Sequence, residues 1–471
     1  MAEQNKVLER RNAQLDQDLT RERISRSKLH NVLEDMKGKI RVIARVRPLS
    51  TKETTVDGET ASSVVKDGKA SVSVLQNNGK GGVDTKKFTF DSVFQGVTRE
   101  NSQDAFFEDV RALVTSAIDG DGRRYNVCLF AYGQTGSGKT YTMGSDCRIG
   151  ESFDEAAKVK IEAGIAPRAA AAVFELLEKL DSQAASAVTL TMFEIYCDKV
   201  VDLLANKSNL ELHQKADNLK ITLAEHSDNG LVQVQGSTEV RVESCAELVS
   251  TMATGIAARA RTVHATKMNS ESSRSHLVGP VLRHGWMRGL NTLDLSWLTR
   301  RTGSEQVGKL TLVDLAGSER VDKSGAQGER LKEATAINKS LSALGDVISA
   351  LTHRAASPSG ASHVPYRNHP LTMLMSDSLG GSAKTMMIVC ASPAQVNAPE
   401  SVSSLKFATR CKDVRSLDPK AAQAQIAELR TELAKVRKSA LHAATMSASA
   451  PPGTPNSAER KGPIGLSLKK R

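Results

Sequence analysis

The chain has 471 residues, of which 39% are hydrophobic and 25% charged, ordinary globular usage with enough material for a sizeable core. Lys and Arg exceed Asp and Glu by 64 to 53, a formal charge of +11, which favours a polyanionic partner (nucleic acid, membrane or an acidic protein surface) without choosing among them. No apolar run is long enough to span a bilayer, the start "MAEQNKVLER" is too polar for a signal peptide, and Cys128, Cys147, Cys197, Cys245, Cys390 and Cys411 show neither a close pair nor zinc spacing. The expectation is a soluble intracellular protein with buried, reduced thiols.

Residues 1–37 are polar, yet Leu8, Leu15, Leu29 and Met36 share one heptad position, interrupted by Glu22, while Leu19 and Leu33 share the other with Asn5, Asn12 and Arg26. This pattern predicts a weak parallel coiled coil, with a single solvated helix as the alternative. From Lys39 the stretch "IRVIARVRP" reads as a strand that Pro48 ends. Further β-branched runs recur at Val127 to Ala131, Val188 to Tyr196, Lys309 to Leu315 and Met386 to Ser392, and helical stretches such as "PRAAAAVFELLEKL" and "LKEATAINKSLSALGDVISAL" lie between them. Such alternation predicts one α/β domain over residues 38–415, a mainly parallel or mixed sheet with helices on both faces. Residues 416–445 place Ile426, Leu429, Leu433 and Val436 on one stripe of a basic amphipathic helix, and residues 446–471 have the composition of a disordered basic tail.

Inside the domain, "GQTGSGKT" fits the GxxxxGK[ST] rule. Gly133, Gly136 and Gly138, with Gln134, Thr135 and Ser137 between them, permit backbone amides to wrap a β-phosphate. Lys139 adds a point charge, and the Thr140 hydroxyl suits Mg²⁺. A strand precedes the loop and a helix holding Tyr141 follows, as the motif requires; the competing reading is a glycine-rich turn that holds nothing. In "LTLVDLAGSER" a strand ends at Asp314, placed to hold Mg²⁺ through water, and Gly317 is free to offer its amide to a γ-phosphate. In "NSESSRSH", residues 269–276, Ser272 and Ser273 are candidates for Mg²⁺ and the γ-phosphate, and Arg274 for an ion pair with Glu319. Read alone, this last stretch is a solvated loop and the ion pair an ordinary surface pair.

Together, "GQTGSGKTYTM", "NSESSRSH" and "DLAGSER" resemble the phosphate loop, switch I and switch II of kinesin motor domains. The "RVRP" stretch, holding Arg45, Arg47 and Pro48, resembles that family's adenine-stacking segment. The segment "LHNVLEDMKGKIRV" is similar to the neck of the C-terminal-motor, kinesin-14 class, and "NHPLTMLMSDSLGG" to the kinesin-like calmodulin-binding proteins. The resemblance implies a kinesin-type P-loop NTPase that hydrolyses Mg-ATP under microtubule stimulation. In it Ser273 and Gly317 would contact the γ-phosphate, Arg274 would bridge to Glu319, and Glu319 would accept a proton through water. Asn338 would link the nucleotide site to the microtubule-binding helix, and Lys323, Arg330, Lys332, Lys339 and Arg367 would face acidic tubulin. The class further implies minus-end motion and a cytoplasmic, microtubule-associated location; the few good Leu or Ile pairs in the N-terminal coil predict only a weak homodimer, and the C-terminal helix reads either as a binder of a calmodulin-like sensor or as a helix docked on the motor or a second short coil. No nucleic-acid module is recognisable.

Three departures from the family pattern stand out. Pro370 occupies a usually basic position, and the loop at 224–234 lacks basic residues, which predicts weaker microtubule affinity. Ala336 replaces Asn or Ser. After His276 the chain runs "LVGPVLRHGWMRGLNTLDLSWLTRRTGSEQVGKL", where Gly279 and Pro280 are expected to interrupt a central strand. That segment reads either as an insertion that remodels the strand or as a local reading-frame error. A non-motile or nucleotide-gated microtubule binder is the alternative to a working motor.

Overall fold

The computed structural model describes residues 2–36, 40–51, 53, 63–77, 82–96, 102–118, 126–144, 163–180, 186–205, 219–223, 231–263, 274–286, 307–320, 328–356, 363–380, 383–414, 427, 431 and 434. In chain order these give α1 (Ala2–Met36), β1 (Ile40–Val46), β2 (Val64–Lys66), β3 (Ser71–Asn77), β4 (Val83–Thr89), β5 (Ser92–Gln95), α2 (Gln103–Ile118) and β6 (Asn126–Tyr132). There follow α3 (Lys139–Met143), α4 (Ile165–Leu180), β7 (Ser186–Tyr196), β8 (Lys199–Asp202), β9 (Lys220–Thr222), β10 (Gln233–Gln235), β11 (Val240–Val242) and α5 (Cys245–Val263). The last elements are β12 (His276–Trp286), β13 (Val307–Asp314), α6 (Glu329–Ala356), α7 (Pro370–Leu374), β14 (Lys384–Ala391) and α8 (Ala398–Lys412).

The main sheet runs β11-β7-β12-β13-β6-β14-β1-β5, with β8 added to β7. Neighbours from β13 to β5 are parallel, whereas β12 is antiparallel to both β13 and β7. Parallel strands need cover on both faces, and alternate residues of β6 show how it is supplied. Cys128, Phe130 and Tyr132 enter one core with Leu344, Val347 and Ile348 of α6 and Leu405 of α8. Val127, Leu129 and Ala131 enter the other with Phe106 and Val110 of α2, Val173 of α4 and Met252 of α5. Strand β1 is buried on both faces although it carries Arg41 and Arg45. Each arginine has a partner, Glu34 at 3.1 Å for Arg41 and Gln103 at 2.8 Å for Arg45.

Gly279 and Pro280 do not interrupt β12. The strand runs on to Trp286, and its register against β7 and β13 shifts between Val278 and Val281. Gly279 takes φ +147°, which side-chain-bearing residues rarely adopt, and the bulge tolerates a proline that has no N–H to give the ladder. The connection 287–306 lies outside the described residues.

Residues 27–426 form one compact unit, and residues 1–26 with 427–471 group as a second. In the second, Val7 and Leu15 of α1 are exposed, and Ala427, Thr431 and Ala434 are helical. Ile426, Leu429, Leu433, Val436 and the tail 446–471 lie outside the described residues. Cys128, Cys390 and Cys411 are buried as expected, but Cys197 is exposed and Cys245 half-buried. No helix among the described residues is long and apolar enough to cross a membrane.

Candidate functional site

The carboxyl ends of β1, β6, β13 and β14 meet at one edge of the sheet, where α/β folds bind ligands. Strand β6 ends there at Tyr132 and Gly133 follows with φ +149°; a Cβ on it would lie 2.3 Å from the Cys390 carbonyl oxygen of β14. Only glycine lets the chain leave the strand at that point. Gly136 and Gly138 also have positive φ, and α3 begins at Lys139, so the loop curls its backbone amides toward a helix start.

Lys139 is 5% exposed, and its Nζ donates to the carbonyl oxygens of Gly133 and Gln134, each at 2.9 Å. Burial lowers its pKa, and the charges of Asp314 and Glu319 oppose that shift. The Thr140 hydroxyl donates to Asp314 Oδ2 at 2.8 Å, bringing together two hard oxygen ligands of the kind Mg²⁺ takes. Ser137 Oγ is buried with no hydrogen-bond partner among the described residues, a hydroxyl available to a phosphate oxygen. The orphaned hydroxyl, the glycine cradle and the Thr140–Asp314 pair fit a Mg-nucleotide. Tyr141 is 41% exposed at the start of α3.

Of the expected adenine-stacking residues, Pro48 is exposed, and Arg47 donates from Nε to the Gly136 carbonyl at 2.6 Å. Both terminal nitrogens of Arg47 grip Glu53, at 2.7 and 2.6 Å, holding that carboxyl down at a pKa of about 2. Arg45 is placed differently. It is 7% exposed, bonded to Gln103 and to Thr142 Oγ1 at 2.9 Å, with its guanidinium over the rings of Phe106 and Tyr141. Gln103 in turn donates to the Tyr141 carbonyl at 2.9 Å, so Arg45 braces the phosphate-loop helix from inside.

At the end of β13 the chain crosses the loop, and Ser318 N donates to the Gly133 carbonyl at 3.1 Å. Glu319 accepts from Thr135 N at 2.7 Å and from the Thr135 hydroxyl. Gly317 lies in this contact, where a Cβ would be 2.3 Å from Glu319 Oε2 and from Thr135 Oγ1. Arg274 does not meet Glu319. Its Nη1 donates to Glu333 of α6 at 2.8 Å, and the Tyr196 hydroxyl donates to the other Glu333 oxygen at 2.6 Å. Burial and that carboxylate push the Tyr196 phenol pKa up. The expected pair is thus replaced by two others, because each charge has a nearer partner. Ser272 and Ser273 lie outside the described residues.

Among the expected contacts to an acidic partner, Lys332 and Arg367 are exposed and Asn338 is half-buried on α6. Lys339 is exposed but paired with Asp198 at 2.5 Å, and Asp198 also accepts from His369 at 2.9 Å. Arg330 lies in the first turn of α6, its side chain not described, and Lys323 lies outside the described residues. Pro370 stands at the first turn of α7, where its missing N–H costs nothing, and His369 caps that helix by accepting from Leu371 N at 3.0 Å.

Glu333, Tyr196, Asp198 and Gln103 carry no sequence motif of their own. The one signal was a tyrosine closing an aliphatic strand, whose half-buried hydroxyl needs a partner.

The kinesin motor domain family matches residues 45–414. The chain is 42% identical over 402 residues to the kinesin-like protein KIN-14E of Arabidopsis thaliana, covering 83% of this chain and 27% of that protein. It is 40% identical over 419 residues to KIN-14I of Oryza sativa subsp. japonica, covering 86% and 28%. The chain therefore spans little more than a quarter of the length of these relatives. Among solved structures it is similar to that of a fast kinesin, at 35% identity and TM-score 0.62 over 80% of this chain and 92% of that one. It is also similar to the C-terminal motor and motor homology domain of Kar3Vik1 fused to a synthetic heterodimeric coiled coil, at 32% identity and TM-score 0.66 over 87% and 94%.

Proposed function

The chain belongs to the kinesin motor-domain family, in the kinesin-14 class, and from that premise we propose that it is a Mg-ATP-driven microtubule motor directed to the minus end. The observation that carries the reading is the convergence of Lys139, Thr140, Asp314, Gly317 and Glu319 at one edge of the sheet. A protein that only bound microtubules would have no physical need for all five.

Lys139 and the loop amides hold the β- and γ-phosphates, and Ser137 supplies a further donor. Thr140, Asp314 and Ser272 would hold Mg²⁺, which when bound neutralises charge on the phosphates. Ser273 and the Gly317 amide sense the γ-phosphate. Glu319 leaves Thr135 to meet Arg274, and from there takes a proton relayed by water. Positioning and electrostatics dominate such a reaction, so the exchange of partners by Arg274 and Glu319 is what commits the site to hydrolysis. On α6 the exposed Lys332 and Lys339, with Arg367 nearby, offer positive charge to tubulin.

Minus-end direction rests on the helix ahead of β1. Its last turns lie against the motor core through His30, which bonds at 3.0 Å to the Ala112 carbonyl, and Asn31, which accepts from Lys384 at 2.7 Å. A lever attached there swings with the core. Residues 1–26 would pair weakly with a second copy, and the segment from 416 would take a calcium sensor; microtubule affinity unchanged by calmodulin and Ca²⁺ would remove that last element.

The test is Mg-ATP hydrolysis by the chain with and without microtubules, beside Lys139→Ala. Strong stimulation is expected, with turnover in the variant falling about 100-fold or more. Binding without stimulation would favour the non-motile reading.

A further inference from the structure

His276 opens β12, and the site described so far makes no use of its side chain. The residue is 2% exposed. Its Nδ1 accepts from the backbone N–H of Ala316 at 3.0 Å, and its Nε2 lies 2.6 Å from Ser340 Oγ on α6. Ser340 Oγ donates to the Ile337 carbonyl, also at 2.6 Å. These contacts fix every proton. An Nδ1 that accepts leaves the ring proton on Nε2, where it points at Ser340, whose own proton is committed to Ile337. The hydrogen bonds therefore run one way, from the Ala316 amide through the imidazole to the backbone of α6. Burial, with the positive charges of His369, Arg259 and Lys139, pushes the ring pKa down to about 3, so the neutral tautomer persists at working pH.

We propose that His276 is a positioning residue that carries movement of the Leu315–Ala316 peptide, next to Gly317, to α6 at Ser340, coupling the nucleotide site to the microtubule-binding helix. The inference rests on the motor reading above and assigns it a specific conduit. Two features make the contact more than packing. Gly317 is wedged between Glu319 and Thr135, one residue from the Ala316 amide that His276 holds, so an exchange of partners by Glu319 takes place directly beside that bond. Glu333 and Ser340 lie seven residues apart, two turns along one face of α6, and both are held by the short run 274–276, through Arg274 and His276. The helix is thus gripped at two points by one segment, and the His276 grip also holds Ala316, two residues past the end of β13. Lys339, exposed beside Ser340, and Asn338, half-buried next to it, lie where the movement would be delivered.

Two variants cut the same path at different places. His276→Asn keeps an acceptor for the Ala316 amide but is too short to reach Ser340, and Ser340→Ala removes the far end with little change of volume. The full chain, both variants and the double variant are compared by microtubule-free turnover, KM for ATP and microtubule-stimulated kcat, with thermal melting as the check on folding. Microtubule-free turnover and KM for ATP should stay within roughly twofold of the parent, while stimulated kcat falls about tenfold in each variant. The double variant should be no worse than either single one, because both interrupt one path. Folded variants that keep stimulated kcat within roughly twofold of the parent, or a double variant that loses the product of the two effects, overturn the proposal. Ser340→Ala carries the test should His276→Asn fail to fold. A parent chain whose ATPase ignores microtubules would end the motor reading and this inference together, whereas stimulation retained in the variants would end the inference alone.

Discussion

Arg274 donates to Glu333 at 2.8 Å, in a pair whose side chains are 15% and 5% exposed, while the glutamate that sequence assigned to it, Glu319, is bound by Thr135. Both charges of the expected bridge are satisfied elsewhere, so in the proposed mechanism closing the switches would break three hydrogen bonds, one at Arg274 and two at Glu319, to make one bridge. In that mechanism Glu333 would be a competing seat for the arginine, braced by the Tyr196 hydroxyl on its other oxygen.

Weakening that seat should favour the closed arrangement. Glu333→Gln keeps the shape and removes the charge, and microtubule-free ATP turnover is expected to rise by roughly threefold to tenfold, a barrier change of about 1 kcal/mol. Tyr196→Phe should act in the same direction and less strongly. Steady-state turnover without microtubules reads both; no rise in either would mean that the Glu333 contact does not oppose closure.

Asp198 stands in a similar relation to Lys339 on the exposed face. The lysine is 60% exposed, so the pair adds under about 1 kcal/mol to stability, but it competes with any acidic surface that approaches. Asp198 has φ +64°, which asparagine tolerates, and an Asn side chain can still accept from His369. Asp198→Asn should lower the half-saturating microtubule concentration by roughly twofold to threefold at low salt, and the gain should fade as salt screens it. Equal affinity of parent and variant at low salt would take Lys339 out of the interface.

The contrast between these pairs and the phosphate loop explains what could be read from sequence. The loop's chemistry is local: a buried strand, glycines at fixed offsets, then Lys139 and Thr140 on a helix start. The same holds for Asp314 at the end of β13, and alternating strands and helices were enough for the fold class. Arg274 illustrates the opposite case. Glu319 and Glu333 are both acidic and lie 45 and 59 residues downstream, and only the packing of α6 decides between them. Arg45 was assigned to the nucleotide from a motif whose alternation marks a strand but does not say what covers each face; α2 covers it with Gln103 and Phe106. At Gly279 and Pro280 the sequence marked an irregularity, and the sheet absorbs it as a bulge because neighbours on both sides hold the strand.

The junction between α1 and the core rests on a buried charge. Lys384, 4% exposed at the start of β14, donates to the Asn31 side-chain oxygen at 2.7 Å and lies 3.4 Å from the Asn31 carbonyl. Asn31→Ala strips a buried ammonium of a principal acceptor and should destabilise the chain by roughly 2 kcal/mol. Lys384→Met removes the charge together with its need for a partner and should cost less. Urea unfolding of both variants gives the comparison, and an Asn31→Ala variant as stable as the parent would show that the ammonium is satisfied without it.

His276 also ties stability to pH. An unfolded histidine takes up a proton near pH 6.5, but burial keeps this ring neutral in the folded chain until about pH 3. Below pH 6.5 the unfolded state therefore binds one more proton than the native state, so acidification favours unfolding. The contribution is absent above that pH, grows by about 1.4 kcal/mol for each unit below it, and levels off once the native ring itself protonates. Between pH 7 and pH 5 the parent should lose roughly 2 kcal/mol through this group. His276→Asn, although less stable at pH 7, should lack that part of the slope, because asparagine does not titrate. Urea midpoints at pH 7, 6 and 5 compare the two slopes. Parallel lines would place the proton on some other group, whereas lines that converge toward acid would locate it on the ring between Ala316 and Ser340.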